Sequence, residues 1–174
     1  MDTVNPVPAY INHFLYPLVG TRMLELGNKK TGSDTYKTFF TAQGFEHVSI
    51  DWNGLDGALG LDLREPIDLD RFDMVTNFGT TEHVSEQEPA WRNIHNLTKV
   101  GGVIVSMCPM EGDWWWHGQH YPKKSFYNQF AELNGYRIDH MEIGRSHPNR
   151  NIDVRMTKLK DGDFVMPDPS TIFF

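Results

Sequence analysis

Short runs of buried-type residues alternate with stretches of helical period along most of this 174-residue chain, and that alternation limits the fold more than any single motif. The runs at 23–26 (MLEL), 47–52, 59–63, 72–78 (FDMVTNF) and 103–107 (VIVSM) are too short for helices and read as strands. Residues 33–43 carry Tyr36, Phe39 and Phe40 at i, i+3, i+4, with Ser33 as N-cap and Gly44 as C-cap. Residues 86–98 put Trp91 and Ile94 on one side; residues 123–134 put Phe126, Phe130 and Leu133 in register ahead of Gly135. Alternating strands and helices predict an α/β, doubly wound, mostly parallel sheet covered on both faces. The last two strands, 136–143 and 152–159, have no helical segment between them and are expected to form an antiparallel β-hairpin at one sheet edge. Residues 1–174 read as a single domain, with a proline-bearing aromatic lead-in over 1–20 and a polar tail over 161–174.

Composition narrows the function classes. A net charge of -7 argues against a protein that coats phosphate backbones, so nucleic acid is not expected as a partner. The single Cys108 rules out an intramolecular disulfide framework and a cysteine-rich metal site. That single cysteine also fits a cytoplasmic protein. No basic, apolar leader and no run of membrane-spanning length stand in the sequence, so neither a signal peptide nor a membrane span is expected.

The stretch RMLELGNKKTG (22–32) poses the chemical question, because the first strand stops at Gly27. In an open parallel sheet, ligands bind beyond the carboxyl ends of the strands, where the strand order reverses. Glycine there permits a sharp turn and a close approach, and a following helix would offer free N–H groups. Gly27 and Gly32 have the spacing of a phosphate loop, but Ser33 and Asp34 stand where Lys and Ser/Thr belong. The dinucleotide pattern G-x-G-x-x-G is also poorly matched, since Asn28-Lys29-Lys30 follow Gly27.

Five segments taken in order resemble the class I S-adenosylmethionine-dependent methyltransferases over roughly residues 20–160. LELGNKKTG is similar to the family's first motif, an acidic residue two before a glycine-rich turn, although only Gly27 and Gly32 stand where three glycines are common. VSIDWNG (48–54) looks like the second motif, GLDLREPI (60–67) like the adenine-facing segment, FDMVTNFGTTEHV (72–84) like the fourth and LTKVGGVIVSMCP (97–109) like the fifth. The resemblance implies a seven-stranded Rossmann-like sheet and S-adenosyl-L-methionine as cofactor. It implies cofactor contacts from Glu25 (ammonium), Gly27 (turn), Asp51 (ribose hydroxyls), Trp52 (adenine stacking), Asp62 and Leu63 (adenine edge), and Asn77 and Phe78 (beneath the methyl group).

Transfer of an already activated methyl group needs alignment and exclusion of water, and a general base only if the acceptor must lose a proton. His83 is the candidate base because it titrates near neutral pH; Glu82-His83 would alternatively hold a divalent cation, or simply open a helix. No metal is assigned. Residues 109–122, PMEGDWWWHGQHYP, bring three consecutive tryptophans that cannot all face one core. Trp114, Trp115, His117, His120 and Tyr121 are the candidate acceptor residues, suited to a small-molecule or glycan-like acceptor, with a protein side chain also left open; the other reading of this segment is a lid that shields the cofactor. Asn77-Phe78-Gly79-Thr80 in place of an Asn-Pro-Pro-Tyr-like tetrapeptide argues against amino methylation of DNA bases. Two further readings remain: a cofactor-binding module or inactive partner subunit, and a nicotinamide-dependent oxidoreductase.

Overall fold

Strand β1 (Arg22–Leu26) lies between two parallel neighbours, β2 (Glu46–Asp51) and β4 (Phe72–Phe78). The computed structural model describes residues 14–28, 30–31, 34–146 and 149–173. With β3 (Leu59–Gly60), β5 (Thr98–Pro109), β6 (Tyr136–Ser146) and β7 (Asn149–Lys158), these strands form one seven-stranded sheet in the order β3-β2-β1-β4-β5-β7-β6. The β3–β2, β2–β1, β1–β4 and β4–β5 pairs are parallel, and β7 is antiparallel to both β5 and β6. This is the doubly wound, mostly parallel sheet with a C-terminal hairpin expected from the sequence.

The central strands are apolar on both faces because both are covered, as parallel sheets require. On one face Leu24, Leu26, Val75 and Ile104 pack with α2 (Gln87–Leu97) and α3 (Lys124–Asn134) in one core. Trp91 of α2 is fully buried, its ring 4.8 Å from that of Phe126 and 5.5 Å from that of Phe130. Trimming such a ring to alanine typically costs about 3–5 kcal/mol. On the other face Met23, Met74, Val103 and Val105 meet Phe39 and Phe40 of α1 (Tyr36–Ala42) and Phe14 and Leu15. The β1-to-β2 and β4-to-β5 connections run outward in opposite directions from the centre. Right-handed crossovers therefore put α1 on one face and α2 on the other, and leave a crevice where the order reverses, beyond β1 and β4.

Three expectations need correction. The helix expected over 33–43 is only Tyr36–Ala42; ahead of it a small antiparallel pair, Lys30–Thr31 with Asp34–Thr35, takes up the chain, while Ser33 lies outside the described residues. The helix therefore begins well past Gly27 and is too short to serve that turn with its first N–H groups. The strand expected over 59–63 shrinks to Leu59–Gly60. Beyond it the chain runs without regular structure, held by Asn93 of α2: Asn93 Nδ2 donates to the carbonyls of Leu63 and Glu65, and its Oδ1 accepts from Ile67 N–H. Part of the lead-in, residues 1–13, lies outside the described residues.

The tail packs back on the domain through Phe164 and Ile172, and its Asp161 meets the last residue of β7. Lys158 is buried, and its ammonium donates to the His95 and Thr98 carbonyls at the end of α2, at 2.9 and 3.0 Å, while pairing with Asp161. The His95 carbonyl also accepts the Thr98 N–H that caps the helix, and a cation at this end suits the helix dipole. Among the described residues no helix is long and apolar enough to cross a membrane.

Candidate functional site

A cleft of about 520 Å3 opens beyond the carboxyl ends of β1, β2 and β4, where the strand order reverses. Its wall includes Gly27 and Asn28 after β1, Asp51 and Trp52 after β2, Asp62 to Arg64, Phe78 to Thr80 after β4, and His83.

The turn after β1 answers the question posed by its glycine. Gly27 has φ +71°, in the left-handed region that disfavours a Cβ, while its N–H extends the ladder to the Ile50 carbonyl at 2.8 Å. A Cβ there would lie 2.7 Å from Thr80 Oγ1. The chain's own Thr80, just past β4, therefore closes over Gly27, and the turn is tight on the protein side.

Asp51 ends β2 with its carboxylate between two backbone donors: Oδ2 accepts from Asn28 N–H at 3.3 Å and Oδ1 from Asn53 N–H at 3.2 Å. Each carboxylate oxygen keeps a second lone pair, so Asp51 can anchor both turns and still accept from a ligand. Trp52 is 82% exposed beside it, so packing against the core does not explain this large apolar ring.

Asp62 also borders the cleft, but its carboxylate is forked by Arg64, with guanidinium nitrogens at 2.6 to 3.1 Å. The Arg64 hydrogen bonds hold Asp62 below the usual carboxylate range. Leu63 is buried, and its carbonyl is taken by Asn93.

Two of the cofactor-side residues expected from sequence lie outside the cleft wall. Glu25 is buried under α1, its Oε2 2.9 Å from His47 Nε2, and the His47 ring stacks on Phe40. Strand alternation turns Glu25 to that face, away from the neighbouring Leu24 and Leu26. Asn77 is fully buried on the opposite face, its Nδ2 shared by Thr81 Oγ1 (2.9 Å), Ser106 Oγ (3.1 Å) and Cys108 Sγ (3.3 Å), its Oδ1 accepting from Thr81 N–H. It ties β4 to β5 and to the turn that carries Glu82 and His83. In the same cluster, burial pushes the Cys108 thiol up to about 11.

The tryptophan segment is an irregular loop, and Gln119 is its contribution to the cleft wall. Tyr121 is buried with its hydroxyl inside the loop: it accepts from Gly118 N–H at 3.0 Å and faces the Trp114 and Gly118 carbonyls at 2.8 and 3.1 Å, which share its one proton. His120 is also buried and bonds the Val84 backbone. Trp114 donates from Nε1 to the Arg150 carbonyl at 2.8 Å. Trp115 and Trp116 are 77% and 99% exposed. His117 reaches the other way, its ring 4.9 Å from that of His83.

Thr80, Asn28, Arg64 and Gln119 were not picked out from sequence. The Gly79-Thr80 pair that ends the FDMVTNF run was the available signal for Thr80; the others lie in irregular segments, where sequence period gives no direction.

This sheet order and this cleft define the Rossmann-like methyltransferase fold. No protein-family model matches the chain, and no curated protein matches it. Solved structures do. The chain is similar to the 1,6-didemethyltoxoflavin-N1-methyltransferase of Burkholderia thailandensis, solved with 1,6-didemethyltoxoflavin and S-adenosylhomocysteine, with TM-score 0.65 and 14% identity over 91% of this chain and 80% of that one. It is similar to the N-methyltransferase NodS of Bradyrhizobium japonicum, with TM-score 0.61 and 14% identity over 87% and 93% of the two chains. It is also similar to the [4+2]-cyclase SpnF, with TM-score 0.63 and 15% identity over 85% and 78%. At these identities the likeness defines the fold.

Proposed function

We propose that the chain is a methyltransferase that uses S-adenosyl-L-methionine and acts on a small-molecule or glycan-like acceptor. The observation that carries this reading is the placement of Gly27 and Asp51 on one cleft at the strand-order reversal. It is supported by the methyltransferases among the similar structures, one of them solved with S-adenosylhomocysteine.

The residues present suit that cofactor. Gly27 leaves the backbone open to close approach, Asp51 can accept from two ribose hydroxyls, and Trp52 offers an exposed ring for an adenine. Arg64 competes for Asp62, so the adenine edge would be met by Asp62 only in part, with backbone groups of Leu63 and its neighbours. Glu25 in this reading acts from behind the turn, through its His47 pair, and Asn77 fixes the floor beneath Phe78. The cofactor supplies an activated methyl group. The chain's own share is to align the acceptor and exclude water, worth up to about 7–11 kcal/mol in well-oriented systems.

His83, half-exposed on the cleft wall, is the candidate base for a hydroxyl or amine acceptor when its ring holds no metal ion. The tryptophan loop, with Trp114, Trp115, His117, His120 and Tyr121, stands beside the cleft as the acceptor side; Tyr121 and His120 hold its shape, and Trp115 offers an exposed ring. A cytoplasmic location belongs to the same reading and rests on the single cysteine.

Calorimetric titration with S-adenosylmethionine and S-adenosylhomocysteine tests the cofactor. Micromolar binding that weakens on Asp51→Ala supports the reading, and absence of binding overturns it. A labelled-methyl assay over sugars, phenols and amines then tests transfer; binding without transfer to any acceptor would favour the binding-module alternative.

A further inference from the structure

We propose that Glu82, His83 and His117 form a binding site for one first-row divalent metal ion of the Zn2+ or Co2+ type, at the edge of the cleft. Glu82 Oε1 lies 3.8 Å from His83 Nε2 and 3.7 Å from His117 Nε2, and one donor atom from each residue falls within 4.8 Å of the others. Donors about 2.1 Å from a shared ion in a tetrahedral shell stand about 3.4 Å apart. The two Glu82 separations are longer than hydrogen bonds and close to that ligand spacing, and the two imidazoles must move closer together to share an ion. Both imidazoles are near half-exposed, at 48% and 41%, so small side-chain rotations can close the difference.

The site is built rather than incidental. Glu82 is fully buried, whereas an acidic side chain on a solvated turn would normally face water. The turn that bears it follows β4 directly, and the Asn77–Thr81 hydrogen bonds fix that turn from below. His117 comes from the far side of β5, and the backbone there is clamped onto the same residue: Gln119 and His120 N–H both donate to the Glu82 carbonyl, at 2.7 and 3.1 Å. Between them Gly118 passes so close that a Cβ would lie 2.8 Å from Glu82 Cγ. The loop is thus seated on Glu82 where any larger residue would hold it off, and this seating brings the second imidazole to the first.

Two imidazoles and a carboxylate favour Zn2+, Co2+ or Fe2+ over Mg2+ and Ca2+, which prefer all-oxygen shells. Three protein ligands leave at least one position for water or a ligand oxygen, and His83 also lines the cleft. The ion would lock the tryptophan loop to the turn after β4. The proposal stands on these three residues whatever occupies the cleft.

Protein stripped with a chelator and titrated with Co2+ tests this by visible d–d absorption and by calorimetry. One ion per chain with micromolar or tighter affinity, displaced by Zn2+, is expected, with at least a tenfold loss in each of His83→Ala and His117→Ala. The Trp114 ring lies 4.8 Å from His117, so Co2+ should quench tryptophan fluorescence in the wild type and not in His117→Ala. Glu82→Gln is read only after circular dichroism shows it folded. Affinity no better than millimolar, or affinity unchanged in both histidine variants, overturns the proposal. Titration of the same stripped protein with S-adenosylmethionine separates this outcome from failure of the methyltransferase reading.

Discussion

Thr80 and Gly27 interlock: the Thr80 hydroxyl donates to the Leu26 carbonyl at 2.7 Å and stands 2.7 Å from where a Cβ on residue 27 would be. The turn after β1 is therefore shaped from β4, and the two strands that flank the strand-order reversal are pinned to one another at the point where the cleft opens.

Gly27→Ala meets two separate penalties, the positive φ and the Thr80 hydroxyl. We expect a loss of about 1–3 kcal/mol in urea unfolding, with weaker cofactor binding. Adding Thr80→Ala relieves the clash and leaves the φ strain, so the double variant should recover part of the loss. Strict additivity of the two changes would show that the pair does not interact.

Asp51→Ala removes an acceptor that holds the Asn28 and Asn53 N–H groups and faces the cleft. Hydrogen bonds to charged groups contribute about 1.5–3 kcal/mol, so S-adenosylmethionine affinity should fall roughly 10- to 100-fold by calorimetry. Asp51→Asn keeps one oxygen and should fall between the two.

Lys158→Met leaves the His95 and Thr98 carbonyls without their buried donor. Unfolding free energy should drop by about 2–4 kcal/mol, measured by urea denaturation. Lys158→Arg should not rescue it, because the buried space fits a compact ammonium.

His95 sets a pH dependence. It is buried, with its Nε2 2.9 Å from the Gly162 carbonyl and Nδ1 3.2 Å from the Tyr136 hydroxyl, an arrangement that suits the neutral ring with its proton on Nε2. Burial holds its folded pKa below the ordinary 6.5. The unfolded chain then takes up this proton first, so the His95 contribution to stability is fully present above about pH 6.5. It falls as pH drops below that value, by up to about 1.4 kcal/mol per unit, until the folded pKa is passed. Unfolding free energies at pH 7.5 and 5.5 measure the slope, and His95→Gln should flatten it.

Cys108 should resist alkylation. With its thiol pushed up to about 11 and its side chain fully buried, reaction with iodoacetamide at pH 8 should be at least about a thousandfold slower in native buffer than in urea. Comparable rates would mean that the β4–β5 end opens readily.

The strands and helices were legible because burial writes its period into the residues: FDMVTNF and VIVSM are mostly apolar on both faces since both sheet faces are covered, and Phe126 and Phe130 repeat at the helical period. Gly27 and Asp51 were legible for a related reason, since each closes a strand that the pattern locates. That Glu25 and Asn77 stand outside the cleft wall was not legible from the string alone. Each stands one residue before the end of a strand beside the cleft, but the pleat sends one beneath α1 and the other to the opposite face, and which face each strand side meets is set by the tertiary packing.

What the sequence by itself determined is the alternating α/β order and the position of the crevice, because both follow from local periodicity and the handedness of crossovers. What only the tertiary structure decided is which side chains share a space. Glu82 and His83 are neighbours in the chain, but His117 stands 34 positions past His83. It joins them because Gly118 lets an irregular loop close on the Glu82 backbone, a contact between distant segments that no local period encodes.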